Sequence, residues 1–301
     1  MALWDEIFEA LTNPLVRDLA WVIGSAPLIK IDSPAQQFST QDWQAMLHAF
    51  EAQLYALEYD SSELERWMEA YQDKRLGAYF ARLFSFWLRH THEFTVIAEQ
   101  LAIRNAQKRT LGEFDLIVQN NATQKIEHWE IAVKFYLGLS ENAPPHQWLG
   151  PGLKDSLGRK LSHLVNHQTQ LSSLDEARFE LEGKGIKIDT TRIILKGRLF
   201  YPWHHAEQNK HHCWWLRRSQ LPNFLLAQQK MNVDAFAELN KRRWLAPLKY
   251  SNLEHIFRAD ELEAINPNKW NVPSHFVGFQ NDLEHVRFFI VNDAWPSTEL
   301  S

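Results

Sequence analysis

Residues 112–136 read GEFDLIVQNNATQKIEHWEIAVKFY, two strand-like runs rich in Val, Ile, Phe and Trp that are split by an Asn-rich gap. Such runs on either side of a short polar gap spell an antiparallel hairpin. With the turn at 121–124 (NATQ), paired positions sum to 245, which sets Asp115 opposite Glu130, Glu113 opposite Ala132 and Ile117 opposite His128. Strand side chains alternate between faces. One face then collects Phe114, Leu116, Val118, Trp129, Ile131, Val133 and Phe135, all apolar, and the other collects Glu113, Asp115, His128, Glu130 and Lys134. Burial of the apolar face fixes the register, because a slip of one residue would invert it.

Directly opposed residues hold their Cβ atoms about 4.5–5.5 Å apart. Two carboxylates at that distance repel, so one takes a proton or both share a cation. A hard divalent ion, Mg²⁺ or Mn²⁺, suits the pair Asp115 and Glu130, since it accepts a couple of carboxylates, keeps several waters and adds substrate phosphate oxygens. A lysine on the same face, Lys134, would orient a water or meet the charge at phosphorus. The competing expectation is an ordinary solvated strand face with Glu beside Lys, a common cross-strand pairing.

Outward from the hairpin, residues 1–60 carry helical spacing in LWDEIFEAL and TQDWQAMLHAFEAQL, punctuated by Asn13-Pro14 and Ser33-Pro34. Residues 61–90 read as one long helix with a capping box at Ser62 and Glu65, and with Trp67, Tyr71, Leu83 and Trp87 among its apolar positions. Three strands follow at 94–104, 110–119 and 125–139, then a helix over 150–174, strands at 186–201 and 211–218, a mostly helical stretch at 219–265, and a closing hairpin from HFVGFQ and EHVRFFIVN. Strands flanked by long helices define an α/β protein. The expected organisation is a helical N-terminal extension (1–60), a core (61–201) and an α+β C-terminal extension packed on it (202–301).

Composition narrows the class. The chain has 301 residues, a net charge of −5 and a single cysteine, Cys213, which excludes a disulfide framework and fits a reducing compartment. The N-terminal stretch is acidic and amphipathic, unlike a secretory signal, and LAWVIGSAPLI is too short to span a bilayer, so a cytoplasmic protein without a membrane partner is expected. Residues 101–200 hold 14 Lys and Arg against 11 Asp and Glu, the only third with a basic surplus. That third contains the hairpin, and a basic surplus there is compatible with a phosphate-bearing ligand. No Gly-x-Ser-x-Gly elbow, Walker-type loop or dinucleotide fingerprint occurs. Nothing in the sequence identifies an oligomer interface.

The segment GEFDLIV, followed after a turn by a strand carrying Glu and Lys, resembles the core of the PD-(D/E)XK nuclease superfamily, and the order helix, three strands, helix, strand is similar to its α-β-β-β-α-β restriction-endonuclease-like core. RLGAYF, GEFDLIV, HWEIAVKFYLG and WLGPGLKDSLGRKL together resemble the uncharacterised domain-of-unknown-function 1853 family of bacterial proteins. The superfamily resemblance implies a metal-dependent nuclease hydrolysing phosphodiester bonds in DNA, with Asp115 and Glu130 as metal ligands, Lys134 as the assisting lysine and Glu113 as an auxiliary carboxylate. Two positions depart from the pattern: Ala132 stands where the lysine normally lies, and Ala81 where the first helix often supplies an acid. The alternative is therefore a catalytically inactive nuclease-fold protein that binds nucleic acid or a protein partner.

On the next helix Lys160, His163 and His167 form one stripe, with Gln168 about one residue off it, and are expected to contact phosphates. WHHAEQNKHHCWW (203–215) gathers four histidines and Cys213, but the spacing matches no standard zinc finger, and a His-rich surface loop is expected between His204 and Cys213 rather than a Zn²⁺ site.

Overall fold

A computed structural model describes residues 3–70, 72–203, 212–265, 269 and 272–297. It is a mixed α/β chain that divides into two compact units, residues 1–134 with 159–197, and residues 135–158 with 198–301.

Six helices open the first unit: α1 (Leu3–Ala10), α2 (Pro14–Gly24), α3 (Thr40–Ala49), α4 (Glu51–Tyr59), α5 (Ser62–Glu69) and α6 (Leu76–His90). Local chemistry starts them. The Asn13 side chain accepts the Leu15 amide ahead of Pro14 at the first helical turn, and Ser39 and Asp42 exchange a reciprocal capping box. The single helix expected over 61–90 is two. Asp73 accepts both the amide and the guanidinium of Arg75, a local turn that ends one helical path and begins α6. The cap of α5 is also displaced: Ser61 is the N-cap, its hydroxyl bonding Glu65 at 2.6 Å. Tyr71 lies outside the described residues.

Strands β1 (Phe94–Arg104), β2 (Thr110–Asn120) and β3 (Ile126–Gly138) follow as an antiparallel meander, and the strand order of this unit is completed by β5 (Thr190–Pro202) next to β3. Between β3 and β5 lie the two-residue β4 (Trp148–Leu149), α7 (Leu157–Asn166) and α8 (Asp175–Gly183). The helix expected over 150–174 is shorter, because His167 leaves helical geometry (φ −126°, ψ −62°) and Gln168–Ser173 continue as a 3-10 turn. Gly197 of β5, at φ +143°, sits so near β3 that a Cβ there would lie 1.7 Å from the Lys134 carbonyl oxygen.

Side chains pack on both faces of the β2–β3 hairpin. On one, Trp129 meets Phe38, Phe84 and Phe94 at ring-centroid distances of 5.4, 6.2 and 4.7 Å. The other is covered by the 3-10 turn and α8, where Phe114 and Ile117 pack with Ile103, Leu171, Ala177 and Leu181. Two expectations about the hairpin faces are thereby corrected. Buried Glu127 shares the Trp129 face, accepting its indole N–H at 2.7 Å and pairing with Arg192 at 2.6 Å. Phe114 has left that face and meets His128 edge-on at 4.6 Å. The break in alternation lies at Asp115. On β1, Glu99 pairs with Leu116 and Leu101 with Phe114, while the residue between, Gln100, is at φ +51°.

Buried Lys196 of β5 ties the sheet to the first helices. Its ammonium donates to the carbonyls of Val22 and Ile23 at 2.7 and 2.8 Å and stands 3.7 Å from the Trp43 ring centroid. These are C-terminal carbonyls of α2, which no intrahelical amide reaches.

The second unit is built on β6 (Cys213–Arg217), α9 (Leu221–Gln229), β7 (Ala235–Glu238), β8 (Phe257–Arg258), α10 (Ala259–Glu263), β9 (Ser274–Gln280) and β10 (Leu283–Val291). Its strand order is β6-β10-β9-β7-β8, with the end of β5 running parallel to β6. The closing hairpin β9–β10 forms as expected. The stretch 219–265 is less helical than its pattern suggests: β7 is paired on both sides, and Ala235, Phe236 and Ala237 are all buried, so no period-two alternation marks it. No helix among the described residues is long and apolar enough to cross a membrane.

Candidate functional site

The β2–β3 ladder pairs Gln119 with Ile126, Val118 with Glu127, Ile117 with His128 and Leu116 with Trp129, each summing to 245 as the sequence predicts. One position beyond the end of that ladder stand Asp115 and Glu130. There the Asp115 carboxylate, through Oδ2, accepts the Ile131 amide at 3.0 Å, so a side chain takes a backbone donor next to the site. Asp115 is partly exposed and Glu130 is fully buried.

Glu130 is held from two sides. Its Oε1 lies 2.7 Å from Nε2 of buried His128, and its Oε2 accepts from the Gln168 amide nitrogen. Gln168 in turn accepts the Lys160 ammonium at 3.0 Å through its own oxygen. Burial lowers the His128 imidazole to about 4, so at neutral pH it is uncharged, and one proton lies between its Nε2 and Glu130 Oε1.

Both carboxyls are hard to ionise. Burial, followed by the charge of Glu130, pushes Asp115 up to about 7. Burial also pushes Glu130 up to about 7, with Glu113 adding to the rise, while hydrogen bonding from Asp115 and the charge of Lys160 oppose it. Two neighbouring carboxyls that each ionise near neutrality behave as a pair sharing one proton.

Asp115 lines two clefts of the first unit. A cleft of about 460 Å³ is lined by Arg75, Ala81, Arg82, Asp115, Ala132 and Lys134, among others. A second, of about 280 Å³, is lined by Leu111, Glu113, Asp115, His163, His167 and Gln168, among others.

The structure thus brings most sequence-predicted site residues to one place, with different parts. Asp115 and Glu130 adjoin as expected. Glu113 is exposed on the smaller cleft, and Lys134 lines the larger one beside Ala132. Lys160, expected at phosphate, donates to Gln168, which in turn donates to Glu130. His163 and His167 are exposed, with ring centroids 5.5 Å apart. Arg75 and Arg82 were missed in the sequence because they belong to the rebuilt start of α6. Only the fold carries that signal.

Among the described residues, no group of three or more His, Cys, Asp or Glu is placed to hold a metal ion. What the site offers is the Asp115 carboxylate on two clefts with the Glu130 carboxylate buried next to it, and a hard ion that keeps part of its water shell would need Glu130 to exchange His128 or Gln168 for the metal. Most of the histidine cluster, residues 204–211, lies outside the described residues. Of its remainder, the His212 ring is 5.9 Å from that of His285, and burial pushes the Cys213 thiol up.

The fold and site define a mixed α/β protein with a buried two-carboxylate centre. Its sequence matches the family model described as domain of unknown function DUF1853 over residues 17–280, and the chain belongs to that family. No curated protein and no solved structure matches it.

Proposed function

We propose that the protein is a nuclease-like phosphodiesterase acting on DNA, with Mg²⁺ or Mn²⁺ held by Asp115 and Glu130 on a PD-(D/E)XK-like core. The observation that carries the proposal is the pair itself: two adjacent carboxyls pushed up to about 7, with a lysine tied to one of them through Gln168. A buried acidic pair is neutralised by a proton or by a cation. The succession α6, β1, β2, β3, α7, β5, with β5 next to β3, supports the core assignment.

The ion would supply Lewis-acid stabilisation of charge developing on the phosphate. The remaining parts belong to the chain. His128 and Gln168 orient Glu130, and the Ile131 amide orients Asp115. Lys160 meets negative charge at phosphorus, the part the sequence suggests for Lys134, and Lys134 lines the cleft through which the strand approaches. Ala81 and Ala132 in that cleft favour a second reading, a catalytically inactive binding module.

Titration calorimetry with Mn²⁺, on wild type and Asp115→Asn and with and without a DNA oligonucleotide, tests the site. Binding by the wild type that is lost in the variant, together with Mn²⁺-dependent cleavage, is expected. Binding without cleavage of any DNA form would leave the binding module. Absence of binding under both conditions would remove the metal-dependent reading.

A further inference from the structure

The two clefts that share Asp115 are chemically unlike. The larger has Arg75, Arg82 and Lys134 on its wall together with Asp73, Glu99 and Asp115, and Asp73 accepts from the Arg75 guanidinium. The smaller has no Lys or Arg among its lining residues, and its acidic members are Glu113 and Asp115. A phosphate entering the smaller cleft would meet two carboxyl groups, with the Lys160 ammonium held by the Gln168 side chain and not itself on the lining. Burial and the neighbouring Lys160 hold the His163 imidazole below its ordinary value, which disfavours its charged form.

What the smaller cleft does offer suits a flat, uncharged ligand with hydrogen-bonding edges. The exposed His163 and His167 rings lie 5.5 Å apart with planes tilted by 37°. Leu111 and Leu174, 41% and 39% exposed, add aliphatic surface, and Asn166 and Gln170 add amide groups. Aromatic and aliphatic faces hold a base by stacking, and amide side chains both donate to and accept from its edge. At about 280 Å³ the cleft has the size of a pocket for one small ligand.

We propose that the smaller cleft is a nucleobase pocket, with the phosphate chain on the Arg75–Lys134 side, so that the protein takes an unpaired nucleotide of a single or splayed DNA strand. A base inside a duplex hides its faces in the stack and must leave it to enter such a pocket. The inference rests on the phosphodiesterase reading only for where the bond to be cut lies; base recognition is measurable without cleavage.

The test uses full-length Asp115→Asn protein and fluorescence anisotropy with three labelled probes of equal length: an oligodeoxythymidylate, an abasic strand with the same phosphates, and a blunt duplex. The base-bearing strand should bind about tenfold tighter than the abasic one, the size of one stacked base. The duplex should bind no tighter than the abasic strand. A paired His163→Ala and His167→Ala change should erase the base preference without weakening abasic binding, and His167→Phe alone should keep it. Both rings are exposed, so neither change disturbs the core. Equal affinity for base-bearing and abasic strands, tighter binding of the duplex, survival of the preference in the double alanine variant, or no binding of any probe would each overturn the proposal. Mn²⁺-dependent cleavage by wild type is scored separately: base preference without cleavage sustains the pocket and sinks the hydrolytic reading.

Discussion

Replacing Asp115 by asparagine should stabilise the metal-free protein at alkaline pH, although it removes a residue of the proposed centre. Asp115 is raised from an ordinary 3.8 to about 7. The folded state therefore holds this proton at pH values where the unfolded chain has released it. Folding takes up a proton across that interval, and the stability contributed by the pair falls as pH rises from about 4 to about 7. Three units correspond to about 4 kcal/mol as a ceiling, at about 1.36 kcal/mol per unit. Asp115 is partly exposed and shares its proton with Glu130, so solvent screening reduces the expected gain to about 2 kcal/mol. Asparagine keeps an oxygen for the Ile131 amide and offers Glu130 a donor, so the local bonds persist. Thermal unfolding with EDTA, followed by circular dichroism, should place the variant about 4 °C above wild type at pH 8 and level with it at pH 4. A variant no more stable than wild type at pH 8 would mean that both carboxylates ionise freely, as on a solvated strand face, and the reasoning from burial would be wrong.

Two further outcomes test the division of labour and the backbone. Lys160→Met should lower Mn²⁺-dependent cleavage about a hundredfold with Mn²⁺ binding retained, whereas Lys134→Met should act chiefly on DNA affinity; the reverse pattern in cleavage and anisotropy assays would return the assisting role to Lys134. Gly197→Ala should cost about 3 kcal/mol or more, because φ is +143° and the new Cβ would fall 1.7 Å from the Lys134 carbonyl oxygen; a denaturation midpoint equal to wild type would refute the close approach.

The hairpin was legible because its apolar residues alternate on both strands around a polar turn, and the observed ladder keeps the predicted sum at every paired position. Its surroundings were not. Alternation locates a buried face, yet it does not report that the opposite face is covered by a later segment, here the 3-10 turn and α8. Phe114 is displaced next to Gln100 on the neighbouring strand, a non-glycine residue in left-handed geometry, and no local preference announces that conformation.

The same gap separates a stripe from a site. On a continuous helix Lys160, His163 and His167 share a face, and Gln168 points elsewhere. The chain breaks at His167 instead, and the break brings Gln168 to where one amide group spans Lys160 and Glu130. This changes what the alanine at position 132 means. Read along β3 alone, it removes the lysine expected two residues after Glu130. Read in three dimensions, an ammonium still reaches Glu130, from α7 through one amide side chain. A lysine at position 132 would start from the backbone of β3 on the larger cleft, whereas Lys160 starts on α7 and bonds Gln168, which lines the smaller one. The two origins are not equivalent. Lys160 leaves the wall at Ala81 and Ala132 without a lysine side chain, and in the phosphodiesterase proposed above that wall is the one along which a strand would reach Asp115.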